Sequence, residues 1–276
     1  MKISADKITS RKNLMLSELV KLDDKKHRDE ARSFRFDGKK LFIEAIENRV
    51  SIKKIFLCES RFGELMGLIR EREAALEGTL ILTVSDDIFM KISPENAPEG
   101  IICVADYMAK HERAAFGNAA FEQATSGCSV LLLESVRDPG NVGTIIRSAA
   151  AFGVKTVCMS RDCADIYNSK TLRAAMGALF GTNILYFDDI KAAIKGLQDS
   201  GRSVYAAALD RNAVRLGDVT LSASDCVVIG NEGHGLSEGT IAACDKSLFI
   251  PMEPNSESLN AAIAASVIMW NIYMNR

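Results

Sequence analysis

Six short apolar runs, CSVLLLES, KTVCMS, NILYF, SVYAAAL, DCVVIG and KSLFIP, punctuate residues 128–251. Helical patterning fills most of the gaps, at 141–152, 170–180, 188–199, 237–244 and 257–274. The runs are continuously apolar, without polar alternation, and joined by crossover helices. That arrangement predicts a parallel sheet covered on both faces. Ligands on such sheets gather at the carboxyl ends of the strands, so the segments that follow the runs are where chemistry is expected.

Residues 1–106 read as a separate, smaller α/β domain of ordinary size. Apolar residues at 14, 16, 19, 20 and 22 predict a helix. KKHRDEARS reads as a charged turn region, and SFRFDG as a short strand ending at Gly38. A helix (KKLFIEAIENR), a strand (IKKIFLC), a helix (RFGELMGLIREREAAL) and a strand (GTLILTVS) follow. Ser85 is placed to cap a short helix, and EGIICVADY is a last strand. Residues 107–127 are weakly periodic and read as a linker with one helical turn or more. Residues 128–276 form the larger domain.

The remaining bulk features narrow the function classes. No run reaches the eighteen or so apolar residues of a membrane span, and MKISADKITSRKNL lacks the apolar core of a signal peptide. Neither a membrane partner nor export is expected. The seven cysteines are scattered, none in a Cys-x-x-Cys pair, beside only three histidines. A disulfide framework or a metal site is therefore not expected, and a reducing cytoplasm fits best. Net charge is −2, but it is unevenly spread: residues 1–55 hold 15 Lys/Arg against 9 Asp/Glu, and the rest 19 against 27. A basic segment on an acidic body is the footprint of a polyanion contact.

Three strand-end segments stand out. In ESVRDPGNVGTIIR, Pro139-Gly140 breaks the strand and Asn141 is placed to cap and begin a helix. Arg147 interrupts that helix's apolar set of Val142, Ile145, Ile146, Ala149, Ala150 and Phe152. In VVIGNEGHGLSE, Gly230, Gly233 and Gly235 permit close backbone approach to a ligand, Glu232 sits at the loop tip, and His234 reads as a plain loop residue. The glycine spacing is neither a dinucleotide fingerprint nor a Walker loop. In IPMEPNSESLNAAIAASVIMW, Ser256 or Ser258 can cap the last helix, which leaves Asn260 in its first turn.

In this order and spacing the segments resemble the three motifs of the SpoU (TrmH-like) branch of the SPOUT methyltransferases. Asn141, Gly143 and Arg147 carry the first, Gly230 to Gly235 the second, and Ile250 to Met252 with Ser258 to Asn260 the third. DIYNSKTLRAAMGALF is similar to a further family stretch, with Ala175 where Ser is usual. HRDEARSFRFDGKKLFIEAI resembles part of the family's substrate-binding domain, with Asp37 where Glu is usual. The resemblance implies an α/β chain of two parts. A small ribosomal-protein L30e-like domain precedes a parallel-sheet SPOUT domain with a deep trefoil knot.

The activity implied is transfer of a methyl group from S-adenosylmethionine to a ribose 2′-OH of RNA. Ribosomal RNA is favoured; transfer RNA and a non-catalytic RNA-binding relative are the alternatives. Asn141, Arg147, Glu232, Ser258 and Asn260 would line the reacting centre. Gly230, Ile250, Met252 and Leu259 would hold the cofactor. Arg28, Arg32 and Lys39 are the candidate RNA contacts, and a homodimer is implied. The sulfonium is already activated, so no metal is expected. Arginine, with a pKa above about 12, is a poor base, but it can orient a phosphate and stabilise a developing alkoxide.

Overall fold

The structure, a computed structural model, describes residues 1–113, 119–253 and 258–275. The chain forms two compact units. The first comprises Met1–Met108 together with Tyr167–Leu172, and the second Ala109–Ile166 with Arg173–Arg276. Among the described residues no helix is long and apolar enough to cross a membrane.

The first unit contains β1 (Lys2–Ile8), α1 (Leu14–Lys21), α2 (Lys25–Ala31), β2 (Ser33–Asp37), α3 (Lys39–Glu47), β3 (Ile52–Cys58), α4 (Phe62–Arg70), β4 (Leu80–Val84), α5 (Asp86–Ile92) and β5 (Ile101–Asp106). Its five-stranded sheet runs in the order β1-β4-β3-β5-β2. β1, β4 and β3 are parallel, and β5 is antiparallel to both β3 and β2. Asn13 caps α1 by accepting from Met15 N at 2.9 Å. Leu16 and Leu19 then point into one core with Phe56, Val84, Phe89 and Ile92, which lays α1 beside α5.

Three elements differ from the sequence reading. KKHRDEARS is not a turn region: Asp24 caps α2 through hydrogen bonds from Lys26 N at 2.8 Å and His27 N at 3.4 Å. Charged residues on nearly every face conceal its helical period. Ser85 does stand at the start of α5, but its hydroxyl donates to Asp87 at 2.7 Å and makes no cap. β1 was not anticipated, because KISADKI is mostly exposed and carries no apolar run.

Of the three candidate RNA contacts, Arg28 requires correction. It is only 3% exposed, and its guanidinium donates to the Leu22 and Asp23 carbonyls at 2.7 and 2.8 Å. It fastens the turn between α1 and α2 instead of facing solvent. Lys39 is paired with Glu64. Arg32 is exposed, in the left-handed region at φ 49°, with its guanidinium 4.9 Å above the Tyr107 ring.

The second unit is built on an eight-stranded sheet of order β11-β13-β10-β12-β7-β8-β9-β6, every pair parallel. Its elements are β6 (His111–Arg113), α6 (Ala119–Thr125), β7 (Ser129–Leu133), α7 (Pro139–Ala151), β8 (Val154–Ser160), α8 (Ser169–Ala175, which continues from the first unit), β9 (Asn183–Phe187), α9 (Ile190–Asp199), β10 (Val204–Ala207), β11 (Val214–Arg215), β12 (Cys226–Ile229), α10 (Glu238–Ala243), β13 (Lys246–Phe249) and α11 (Ala261–Met274). All six apolar runs are strands. Part of 107–127 is regular structure too: His111–Arg113 pairs with β9 and α6 follows, while 114–118 lie outside the described residues. Burial of every residue of β7 and β12 explains their continuous apolarity.

Asp37 gives the first unit a pH signature. Burial is the main influence on it and pushes its pKa up to about 6, against the pull of Arg35 and the Ser93 hydroxyl. Between pH 4 and 6 the folded chain therefore keeps a proton that the unfolded chain has lost, and stability falls as pH rises through that window. Asp37→Asn, which can still accept from Ser93, should remove this slope. It should raise stability at pH 7 by about 3 kcal/mol or less, as read by urea denaturation across pH 4 to 8. An unchanged slope would contradict the assignment.

Candidate active site

β12 lies between β7 and β10, and β13 lies beyond β10, so the loops after β7, β12 and β13 emerge on one edge of the sheet. The register sets Ile229 against Leu133, and the first two loops therefore begin side by side. They are joined in both directions. Glu134, just after β7, accepts from Ser237 N and Oγ, each at 2.9 Å, and from Thr240 Oγ1 at 2.6 Å, which closes the start of α10. Glu232, just after β12, accepts from Asp138 N at 3.1 Å and Arg137 N at 3.3 Å, ahead of α7. Asn231 Nδ2 adds a bond to the Ser135 carbonyl at 2.8 Å.

Asn141 does not cap α7. Asp138 does, accepting from Asn141 N at 2.9 Å, with Pro139 in the first helical turn where its missing N–H costs nothing. Asn141 is thereby set inside the helix, and its side chain is free to bridge. Its Nδ2 donates to Glu232 Oε1 at 2.9 Å, and its Oδ1 accepts from Asn260 Nδ2 at 2.9 Å. Asn260 is itself the cap of α11, accepting from Ala262 N at 2.8 Å and Ile263 N at 3.3 Å. Ser258 is not the cap, and Ser256 lies outside the described residues. The amide orientations follow from the two ends. Asn260 Oδ1 is committed to helix N–H groups, so its amino group must face Asn141. Asn141 must then turn its own amino group to the carboxylate.

Three of the five residues proposed for the reacting centre, Asn141, Glu232 and Asn260, thus form one hydrogen-bonded line. Burial would raise the Glu232 pKa, but the bonds from Asn141 and nearby backbone N–H groups outweigh it and hold the carboxyl below its usual range. A carboxylate so held is a weak proton acceptor and a strong clasp. Ser258 and Arg147 are not on this line. Ser258 is exposed, at the wall of a nearby cavity. Arg147 stands on the solvent face of α7, between buried Ile146 and half-buried Ser148, in no ion pair among the described residues. It does not intrude on the buried face as its neighbours in sequence suggest.

The cavity, about 380 Å³, opens at the ends of β10 and β13. Ile250, Met252, Leu259 and Ser258 line it, with Leu209 and Glu253. Leu209, 81% exposed, ends the apolar run SVYAAAL and so reads as strand, but the strand stops at Ala207 and leaves it in the loop at the cavity. The volume suits a small ligand. Apolar walls beside one carboxylate suit an amphipathic cation.

Gly230 does not line this cavity. A Cβ there would lie 2.4 to 2.6 Å from backbone atoms of Gly235 and Leu236, because the loop closes on itself through paired hydrogen bonds between Asn231 and Gly235, both 3.0 Å. Its glycine is demanded by its own loop. Among the described residues no group of three or more His, Cys, Asp or Glu could hold a metal ion.

Residues 129–270 match the family model of the SpoU rRNA methylases. The chain belongs to the SpoU rRNA methylase family. Residues 13–103 of this SpoU chain match the model of an MRM3-like substrate-binding domain. RlmP of Bacillus subtilis, a 23S rRNA (guanosine(2553)-2′-O)-methyltransferase, is 29% identical over 96% of this chain and 98% of its own. RlmB of Coxiella burnetii, a 23S rRNA (guanosine-2′-O-)-methyltransferase, is 26% identical over 82% of this chain and 88% of its own. The crystal structure of an AdoMet-bound rRNA methyltransferase from Sinorhizobium meliloti superposes with a TM-score of 0.83 at 26% identity, covering 99% of this chain and 98% of that one.

Gly230→Ala tests the self-closing loop. With backbone atoms as the obstruction, the loop must shift, and the cost should reach at least about 2 kcal/mol of stability. Gly233→Ala, where the nearest atom is the Asn231 side chain at 3.6 Å, should be mild. Equal thermal shifts for the two variants would refute this account.

Proposed function

We propose that this chain transfers the methyl group of S-adenosylmethionine to a ribose 2′-OH of ribosomal RNA. The observation that carries the reading is coincidence of place. The SpoU match spans the clasped strand-end loops and the adjoining cavity, and an AdoMet-bound relative shares the fold over nearly its whole length. The names of the relatives support ribosomal RNA first. The trefoil knot, the division at 1–106, 107–127 and 128–276, and a cytoplasmic setting belong to the same reading. The seven unbridged cysteines support the last of these.

The cofactor supplies an activated methyl group on a neutral leaving thioether. What the chain contributes is placement. Ile250, Met252, Leu209 and Leu259 would enclose its apolar parts, and Glu253 would face its positive charge. The line from Asn260 through Asn141 to Glu232 holds the three loops in register, so the hydroxyl and the methyl meet at fixed geometry. Glu232, held ionised, orients rather than accepts the proton. Ser258, at the cavity wall, is placed to touch the ribose.

Arg147 has a free guanidinium and needs a second surface to act on. A homodimer would supply one. Ile263, Trp270 and Met274 of α11 are 52%, 52% and 61% exposed, more apolar surface than a monomer leaves on one helix without purpose. This face adjoins α7, where the Ser266 hydroxyl meets that of Ser148 at 2.8 Å, the residue after Arg147. A second copy covering α11 would bring Arg147 to an active site.

Incubation with unmodified 23S rRNA and labelled cofactor, followed by 2′-O-methyl mapping, tests the activity; no ribose methylation of any rRNA would overturn it. Arg147→Lys keeps charge and stem but loses the planar fork. It should lower methyl transfer at least about tenfold, roughly 1.4 kcal/mol, with cofactor affinity and Tm unchanged. Near-normal turnover in Arg147→Lys and Arg147→Ala would remove it from the mechanism. Light scattering at micromolar concentration should return a dimer, and a monomer mass would sink that assignment.

A further inference from the structure

Many cations of the basic stretch 1–55 are already engaged. Lys7 pairs with Glu59 at 2.7 Å, Lys54 with Glu18 at 2.9 Å and Arg35 with Asp23 at 2.8 Å. Lys39, Lys40 and Lys53 pair with Glu64, Glu44 and Asp106. Arg28 is buried on carbonyls. Arg11, Lys21 and Lys91 are exposed and in no ion pair among the described residues, as are Lys12, Lys25 and Arg49, but the first three share one feature more. They line a single concavity of about 390 Å³, whose other walls are Leu16, Ser17, Val20 and Ile92. No acidic side chain lines it.

The packing of the fold brings these three together. The inward face of α1, Leu16 and Leu19, shares a core with Ile88, Phe89 and Ile92 of α5. The outward row of α1, Ser17, Val20 and Lys21, is then neighbour to Lys91 in the last turn of α5. Arg11 enters from the turn ahead of the Asn13 cap. Asp87, one turn before Lys91 on α5, lies close enough to feel its charge, but no acid faces the concavity itself, so an anion there would meet three cations.

We infer that this cup binds a backbone phosphate of the RNA, in a single-stranded or loop segment. The inference rests on the reading of the chain as an RNA methyltransferase. Lys21 also lines a second cavity of about 490 Å³, whose apolar residues Leu19, Leu22, Phe56 and Val104 are accompanied by His27, by Lys53 and Lys54, and by the carboxylates of Glu18 and Glu30. A cationic cup sharing a wall with an apolar-floored cavity matches the alternation of phosphate and unstacked base along a single strand. An acidic protein segment would use the cup and leave the cavity without a planar apolar group. Of the contacts expected at Arg28, Arg32 and Lys39, the cup takes the place of the buried Arg28 alone.

The test uses the full chain with Arg11→Gln, Lys21→Gln and Lys91→Gln combined, and fluorescent unmodified 23S rRNA as probe. Affinity should fall at least about tenfold at physiological salt. The slope of log Kd against log salt should flatten by about 0.7, the loss of one single-strand phosphate contact. Tm and S-adenosylmethionine affinity should not move, and Lys21→Arg should retain wild-type binding. Unchanged affinity and slope in the triple variant would overturn the site. So would loss of polyglutamate binding with RNA binding intact, which would point to an acidic protein. A wild-type chain that binds and methylates rRNA while the triple variant behaves identically refutes this site alone. A wild-type chain that binds no rRNA brings down the methyltransferase reading with it.

Discussion

The loops after β7 and β12 hold each other by exchange of carboxylates. Glu134 leaves the first loop to close the start of α10, and Glu232 leaves the second to close the approach to α7. Each loop supplies an acceptor for the other's backbone N–H groups. Charge-assisted bonds of this kind are stronger than neutral ones, and here they sit at the end of a rigid parallel ladder. The cavity at β10 and β13 and the start of α11 then inherit their position from this clasp through Asn141 and Asn260. The site is a set of helix beginnings tied to one another, which is why so few of its polar groups are free to do acid-base work.

The first unit distributes its charge on the same physical logic in reverse. Its surplus of cations is confined to residues 1–55, and acids at Glu18, Glu44, Glu59, Glu64 and Asp106 pair with five of them. Exposed pairs like these contribute little stability. Their larger effect is to offset part of the basic surface.

The parallel sheet was legible because burial on both faces writes itself into continuous apolar runs, as in SVLLL and CVVI. The site was legible as three motifs, but not in its bonding. Asn141 and Asn260 exchanged their expected parts, helix opener and first-turn residue, because an Asn serves equally well at either place and only the tertiary partners decide. Asp138 and Pro139 carried the local signal for the start of α7. Arg28 misled for a related reason: a cation in a charged run reads as surface, and nothing local reveals that the turn before it leaves two carbonyls to be satisfied. β1 carries no apolar pattern, and Leu209 carries a strand's pattern although the strand stops two residues before it.

The line of amides has a polarity, and with it a chemical vulnerability. Each asparagine gives with one end and takes with the other, so the whole line runs one way, from the cap of α11 to the carboxylate. Hydrolysis of the Asn260 amide would leave an aspartate that caps α11 as well as before but has nothing to offer Asn141. The same change at Asn141 would set one carboxylate against another. Slow deamidation would therefore age the active site while the folded body kept its secondary structure, and an old preparation could look intact by circular dichroism after its catalytic edge had come apart.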